Sequence, residues 1–197
     1  MMTKPEMMSY LEQLNDEARR MNIKGEICLY GGAVLCVVYD ARPSTKDIDA
    51  VFKPTRELRE AVKRVATANH LREDWLNDAV KGFVVHPQRV FLNMSNLKVF
   101  VPEPDYLLAM KSLSARADAT DKQDLQFLID LLRIETAADV FSILEKYYPK
   151  RQIKPATQYF IEELFERIRK LTSIGQTKNL IDADPDKLAH LPDGFCG

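Results

Sequence analysis

Two glycines followed by two aspartates constrain this chain more than any other feature of its sequence. They fall within LYGGAVLCVVYDARPSTKDIDAVF, residues 29–52. Glu26–Tyr30 (EICLY) reads as a short strand that ends at Gly31 and Gly32. The apolar run AVLCVVYD follows the glycine turn directly and reads as a buried helix, although its periodicity alone would also allow a strand. Asp40–Lys46 (DARPSTK) has the Pro, Ser, Thr and charge of a loop. Asp47–Phe52 (DIDAVF) alternates polar and apolar at first, as a second strand does. Asp47 and Asp49 therefore project from one face of that strand. They stand roughly 6–7 Å apart along the chain.

Two carboxylates so placed can converge on one hard cation. Mg²⁺ takes oxygen ligands at about 2.0–2.1 Å and leaves room for phosphates. Without a cation the pair would repel, and one member would tend to take up a proton. The glycines supply the other half of the arrangement, because a chain without side chains lets a ligand approach the backbone closely. Amides at the start of the following helix can receive phosphate oxygens. Each half has an ordinary explanation on its own: a D-x-D on a solvated strand edge, a GG in a plain turn. Their conjunction, with Arg42, Ser44 and Thr45 between them, points to a cradle for a triphosphate and a metal. It is not a P-loop, since no GK[ST] follows, and no GxGxxG is present to make it a dinucleotide fingerprint.

The rest of the chain fits around this motif. Pro5–Met21 reads as an amphipathic helix with Met8, Leu11, Leu14 and Ala18 on one side. Pro54 opens a helix over Thr55–Asn69, with Leu58, Val62 and Val65 at helical spacing. A short helix is expected around Trp75–Val80, then strands near Arg89–Leu92 and Leu97–Val101. Beyond Pro102 and Pro104 the pattern turns helical over Asp105–Arg116, Asp121–Arg133, Thr136–Tyr147 and Pro155–Leu171. Strands concentrate in the first half and helices in the second. The expected class is α+β, a small mixed sheet flanked by helices with a helical carboxy-terminal part. Residues 1–102 would form the α/β core, 103–180 the helical part and 181–197 a polar tail.

Bulk properties narrow the function. With 197 residues, 46% hydrophobic and 29% charged, the chain has the composition of an ordinary globular protein. A formal net charge of -1 supplies no global field for nucleic acid, so any such contact needs a local basic patch. Lys146, Lys150, Arg151 and Lys154 form the densest one. Arg72, Lys81 and Arg89 could add a mild basic rim, with a solvated surface as the default. Cys28, Cys36 and Cys196 make no CxxC, and His70, His86 and His190 are scattered, which argues against zinc. An odd cysteine count without a framework, a start unlike a signal peptide and the lack of a membrane-length apolar run together give an expected cytoplasmic location.

The glycine–aspartate segment resembles the GG…D-x-D signature of the nucleotidyltransferase superfamily related to DNA polymerase beta. More closely, GGA-V-L…R-P-S-T-K-D-I-D resembles the bacterial nucleotidyltransferase-like families allied to AbiEii-type toxins. PDYLLAMKSLSARADATDKQDLQFLI, residues 104–129, is similar to the K-x-x-A-x-R…K-D-x-x-D-L pattern of those families, with Lys111, Arg116, Asp121 and Asp124 in the matching places. DWLNDAVKGF, residues 74–83, has the look of the same subgroup.

The resemblance implies a role for each matched residue. Gly31 and Gly32 would hold the triphosphate through their amides, and Asp47 and Asp49 would ligate Mg²⁺ or Mn²⁺. Arg42, Thr45 and Arg116 would line the nucleotide site. Lys111 would reach a phosphate as a point charge, and Asp124, with Asp121, would complete the cleft or hold Arg116. Read from the residues alone, Lys111 could equally be a lysine snorkelling at the core edge. Asp121 and Asp124 could equally be acids favoured in a first helical turn.

The implied activity is transfer of a nucleoside monophosphate from an NTP to an acceptor. That acceptor would be an RNA (tRNA for the toxin-like relatives), a protein side chain or a small molecule, and the chain could be the toxin of a toxin–antitoxin pair with a cognate antitoxin or other partner protein. The alternative is a nucleotide- or partner-binding module with a degenerate site. One departure leaves three options: a different geometry, use of the substrate's own group as base, or a chain that binds without catalysis. Many active relatives carry a third carboxylate on a later strand, whereas Leu97–Val101 has Lys98 and no acid. Glu103, Asp105, Asp74 and Asp78 are the remaining candidates for it.

Overall fold

Alternation and helical spacing translate directly into elements in the computed structural model, which describes residues 1–77, 88–114 and 119–183, the side chains of 171–183 excepted. The fold is mixed α+β, with seven α-helices among the described residues, a five-stranded mixed sheet and a two-stranded one. The strands are β1 (Met2–Thr3), β2 (Gly25–Tyr30), β3 (Ser44–Thr45), β4 (Ile48–Lys53), β5 (Leu76–Asn77), β6 (Gln88–Asn93) and β7 (Leu97–Pro102). The helices are α1 (Lys4–Arg20), α2 (Gly31–Val37), α3 (Thr55–Ala68), α4 (Pro104–Ser114), α5 (Ala119–Leu132), α6 (Ala137–Tyr147) and α7 (Pro155–Ala183). No helix among the described residues is long and apolar enough to cross a membrane.

The main sheet runs in the order β5-β4-β2-β7-β6. β2 lies antiparallel to β4 with Tyr30 opposite Asp49, and parallel to β7 with Cys28 opposite Phe100. Opposed residues share a face, so the period of two sorts the sheet cleanly. Ile27, Leu29, Ile48, Ala50, Phe52, Leu97, Val99 and Val101 form one buried face. The opposite face carries Glu26, Cys28, Tyr30, Asp49, Val51, Lys98 and Phe100.

Helix α1 starts with a capping box, Thr3 and Glu6 bonding reciprocally, which satisfies amides the first turn leaves unpaired. Its buried stripe is Met7, Leu11, Leu14 and Ala18. The stripe therefore enters at Met7 where Met8 was expected, because 7, 11, 14 and 18 keep the spacing of four, three and four that one helical face requires. Trp75 and Leu76 are not helical: β5 pairs Leu76 with Ile48, and Val80 lies outside the described residues. Trp75 is a core plug whose indole donates to the Val62 carbonyl at 3.1 Å. β3 interrupts the expected loop by pairing with β1. α7 continues past Leu171 to Ala183, and the tail beyond it is outside the described residues.

The second half packs on the Asp49 face through a buried tyrosine cluster. The Tyr106 ring meets Tyr147 edge-on at 5.0 Å and stacks with Tyr148 at 6.2 Å. The Tyr148 hydroxyl donates to that of Tyr106 at 3.3 Å. Burial pushes the Tyr30, Tyr106 and Tyr148 phenols above their ordinary range, so all three are neutral packing groups. Because β2 and β7 are parallel, the Gly31 turn and the start of α4 leave the sheet at the same end.

Candidate functional site

At that end the chain passes from β2 into α2 through Gly31, whose φ of 61° lies in the left-handed region. A Cβ there would meet Asp49 Oδ2 at 3.1 Å. A Cβ on Gly32 would come within 2.9 Å of Arg42 Nη1 and 3.0 Å of Thr45 Oγ1. The two glycines thus form a floor on which Asp49, Arg42 and Thr45 close directly. Thr45 is buried, and its hydroxyl donates to the Asp47 carbonyl at 3.1 Å, tying the loop to the start of β4.

Asp47 precedes β4 by one residue and Asp49 lies within it, two apart and both half-buried. Among the described residues no cation pairs with either carboxylate. Asp124 is treated very differently. It is 3% exposed, and its two oxygens grip Arg42, Oδ1 accepting from Nε at 2.6 Å and Oδ2 from Nη2. Lys111 Nζ reaches the same Oδ2 at 2.6 Å and Asp121 Oδ1 at 3.4 Å. One buried carboxylate on α5 therefore gathers a cation from the α2–β3 loop and one from the end of α4.

The fork geometry has a consequence for Arg42. A bidentate pair consumes two of the guanidinium nitrogens and fixes the plane of the third. That third atom, Nη1, is the one that lies against Gly32. Asp124 thus acts as a buried positioner that aims Arg42 at the glycine floor. The sequence offered Asp124 as a cleft residue or an anchor for Arg116. Its grip on Arg42, 82 residues away, has no local signal.

The structure brings together Gly31, Gly32, Arg42, Thr45, Asp47, Asp49, Lys111, Asp121 and Asp124 from four separate stretches of chain. Lys111 is engaged by Asp124 and Asp121, which makes it a bridge between α4 and α5 as well as a local positive charge. Arg116 lies outside the described residues, as do Asp78, Lys81, His86, His190 and Cys196. His70 is exposed. Burial pushes the Cys28 thiol up to about 11, which leaves it no nucleophile at neutral pH.

The candidates for a third acid are placed as follows. Asp105 accepts from Lys146 Nζ and the Tyr147 hydroxyl, both at 2.7 Å, and from the Tyr106 amide at 2.8 Å. Asp74 accepts from Arg72 at 2.6 Å. The β2–β7 register, carried two residues past Cys28 and Phe100, sets Pro102 beside Tyr30, so Glu103 follows the strand out of that row. Among the described residues no group of three or more His, Cys, Asp or Glu gathers closely enough to hold a metal.

A two-carboxylate site still suits Mg²⁺ or Mn²⁺ when a ligand supplies further oxygens, since Mg²⁺ is commonly held by one or two carboxylates plus phosphates and waters. The oxygen-only donors, the absence of a competing cation among the described residues and the floor that a single Cβ would fill all fit that group. No curated protein and no solved structure matches the chain. A family model matches residues 6–128, which takes in both glycines, both aspartates and Asp124. The chain belongs to the family described as nucleotidyltransferase of unknown function, DUF6036.

Proposed function

We propose that the chain transfers a nucleoside monophosphate from an NTP to an acceptor hydroxyl or phosphate, with a divalent ion held by Asp47 and Asp49. The single observation that carries this reading is the pair of half-buried carboxylates, paired with no cation among the described residues, beside a glycine floor onto which Asp124 aims Arg42. A divalent ion bound there would neutralise charge on the phosphates and activate the acceptor oxygen.

The chain's own residues do the positioning. Gly31 and Gly32 let the triphosphate lie against the backbone. Arg42 Nη1 offers a fixed donor to a phosphate oxygen, and Asp124 holds it ready so that little reorganisation is needed on binding. Thr45 fixes the backbone at Asp47. Catalysis in such a site is largely alignment and charge neutralisation. An RNA, including tRNA, is one acceptor in this reading, and a protein side chain or a small molecule are others. A toxin role with a cognate antitoxin belongs to the same reading and rests on the resemblance alone.

One observation favours a second reading, nucleotide binding without transfer. Asp105, the acid nearest the expected third position in sequence, is already committed to Lys146 and Tyr147.

Thermal melts with each NTP, with and without Mg²⁺ or Mn²⁺, test both readings on wild type and Asp47→Asn. A ligand at about 100 times its Kd adds roughly 2.7 kcal/mol, a shift of a few degrees. The expected result is a metal-dependent shift for at least one NTP that Asp47→Asn abolishes. No shift with any NTP would remove both readings. A shift without pyrophosphate release across RNA, protein and small-molecule acceptors would leave binding alone.

A further inference from the structure

The outer face of α5 bounds a second feature. Between α5 and the first half of α7 lies an open groove of about 690 Å³, within the size range of small-ligand sites. Its apolar surface comes from Phe127 and Leu164, and its polar edge on α5 from Gln123 and Gln126. Phe127 links the groove to the site described above. It is three residues beyond Asp124 on the same helix, which makes the two neighbours on adjoining faces. Its ring also packs against Tyr39 at 5.7 Å, and Tyr39 lies three residues before Arg42. Phe127 therefore joins one edge of the groove to the two segments that carry the Arg42–Asp124 pair.

The groove's chemistry selects among ligands. Lys122 is paired with Glu163 at 3.0 Å, Gln126 donates to Asp130 at 2.9 Å, and Arg167 adds a positive charge on the α7 side. What remains is an aromatic face with primary carboxamides beside it, the combination that stacks a nucleobase and reads its edge, since a carboxamide carries both a donor and an acceptor. We propose that the groove between α5 and α7 holds the nucleobase of the nucleotide whose triphosphate lies on Gly31 and Gly32, with Phe127 as its stacking surface and Gln123 and Gln126 as its edge contacts. This rests on the triphosphate reading given above.

The test compares two probes in the presence of Mg²⁺, inorganic triphosphate and each of the four NTPs, by titration calorimetry. Wild type is expected to bind at least one NTP roughly tenfold or more tighter than inorganic triphosphate, the scale of one stacked base. Phe127→Leu keeps an apolar side chain without the ring, and Gln123→Ala alters only an exposed position. Both variants are expected to lose most of that preference while their affinity for inorganic triphosphate stays unchanged. NTP affinity equal to that of inorganic triphosphate in wild type overturns the proposal, as does an NTP preference that both variants keep. Failure of both probes to bind wild type overturns the triphosphate reading and this proposal with it.

Discussion

At the scale of single residues, Asp124 carries the largest stake. It is nearly inaccessible and holds two cations that are themselves mostly covered, Arg42 at 18% and Lys111 at 12% exposure. Removing one partner of a buried charge cluster leaves the others desolvated and uncompensated, which typically costs ~3–5 kcal/mol. Asp124→Asn is therefore expected to lower stability by about that amount in urea denaturation, whether or not nucleotide is bound. Gly32→Ala is the counterpart with a smaller structural cost. Its backbone is not in the left-handed region, and the nearest atoms to the added Cβ belong to the Arg42 and Thr45 side chains. The expected outcome is a melting temperature lowered by less than in Asp124→Asn, because the buried carboxylate and both cations remain, and a metal-dependent NTP shift that is lost because Arg42 is pushed off the floor. An unchanged NTP shift in Gly32→Ala would detach the glycine floor from nucleotide binding.

At the scale of elements, the contact between α4 and α6 titrates. Asp105 sits in the first turn of α4 and reaches Lys146 and Tyr147 on α6. Its pKa combines opposing influences: burial raises it, and the bonds from Lys146, Tyr147 and the Tyr106 amide together outweigh burial and bring it below the usual aspartate value. A carboxyl whose folded pKa is depressed stabilises the fold above its unfolded pKa, near 3.9, and loses that contribution as pH falls through the folded value. Asp105→Asn is expected to melt below wild type at neutral pH, and the gap is expected to close as pH falls from about 4 through the depressed folded pKa. A gap constant across that range would show that the loss comes from packing and not from the charge.

The same scale explains what could be read from sequence. The alternation in DIDAVF and the seven-residue repeats of α1 and α3 express a local period, so those elements and the paired aspartates were legible. Met7 displaced Met8 because two adjacent methionines are indistinguishable by hydrophobicity and the face is set one residue away. The helix expected from Trp75 gives way to β5 because Leu76 and Asn77 are strand only through their pairing with Ile48 and Asp49, a contact no local window contains. The grip of Asp124 on Arg42 was hidden for the same reason: acid spacing on α5 looks identical whether the acid caps a helix or anchors an arginine from another element.

At the scale of the whole molecule, the sheet half and the helical half share one core. A single cluster of buried residues runs from Ile27 and Val99 in the sheet through Leu107 and Leu144 to Phe160 and Phe165 in α7. Cys28 and Tyr30 on the Asp49 face are buried at 6% and 2%, with Tyr106 and Tyr148 from the helical half beside Tyr30. The change of character after Pro102 therefore marks a change of secondary structure across one shared core. The chain's single tryptophan, Trp75, is buried in the sheet half, whereas most of the helical signal comes from residues beyond it. Trp75 fluorescence and far-UV circular dichroism thus report the two halves separately. A shared core requires their denaturant transitions to coincide in midpoint and slope, as in two-state unfolding. A fragment ending at Pro102 would expose the tyrosine-lined face and lose Lys111 and Asp124, so it is expected to show no cooperative transition. Separated transitions in the full chain, or a folded 1–102 fragment, would mean that the sheet carries its own core and that the Arg42–Asp124 pair joins two units able to part.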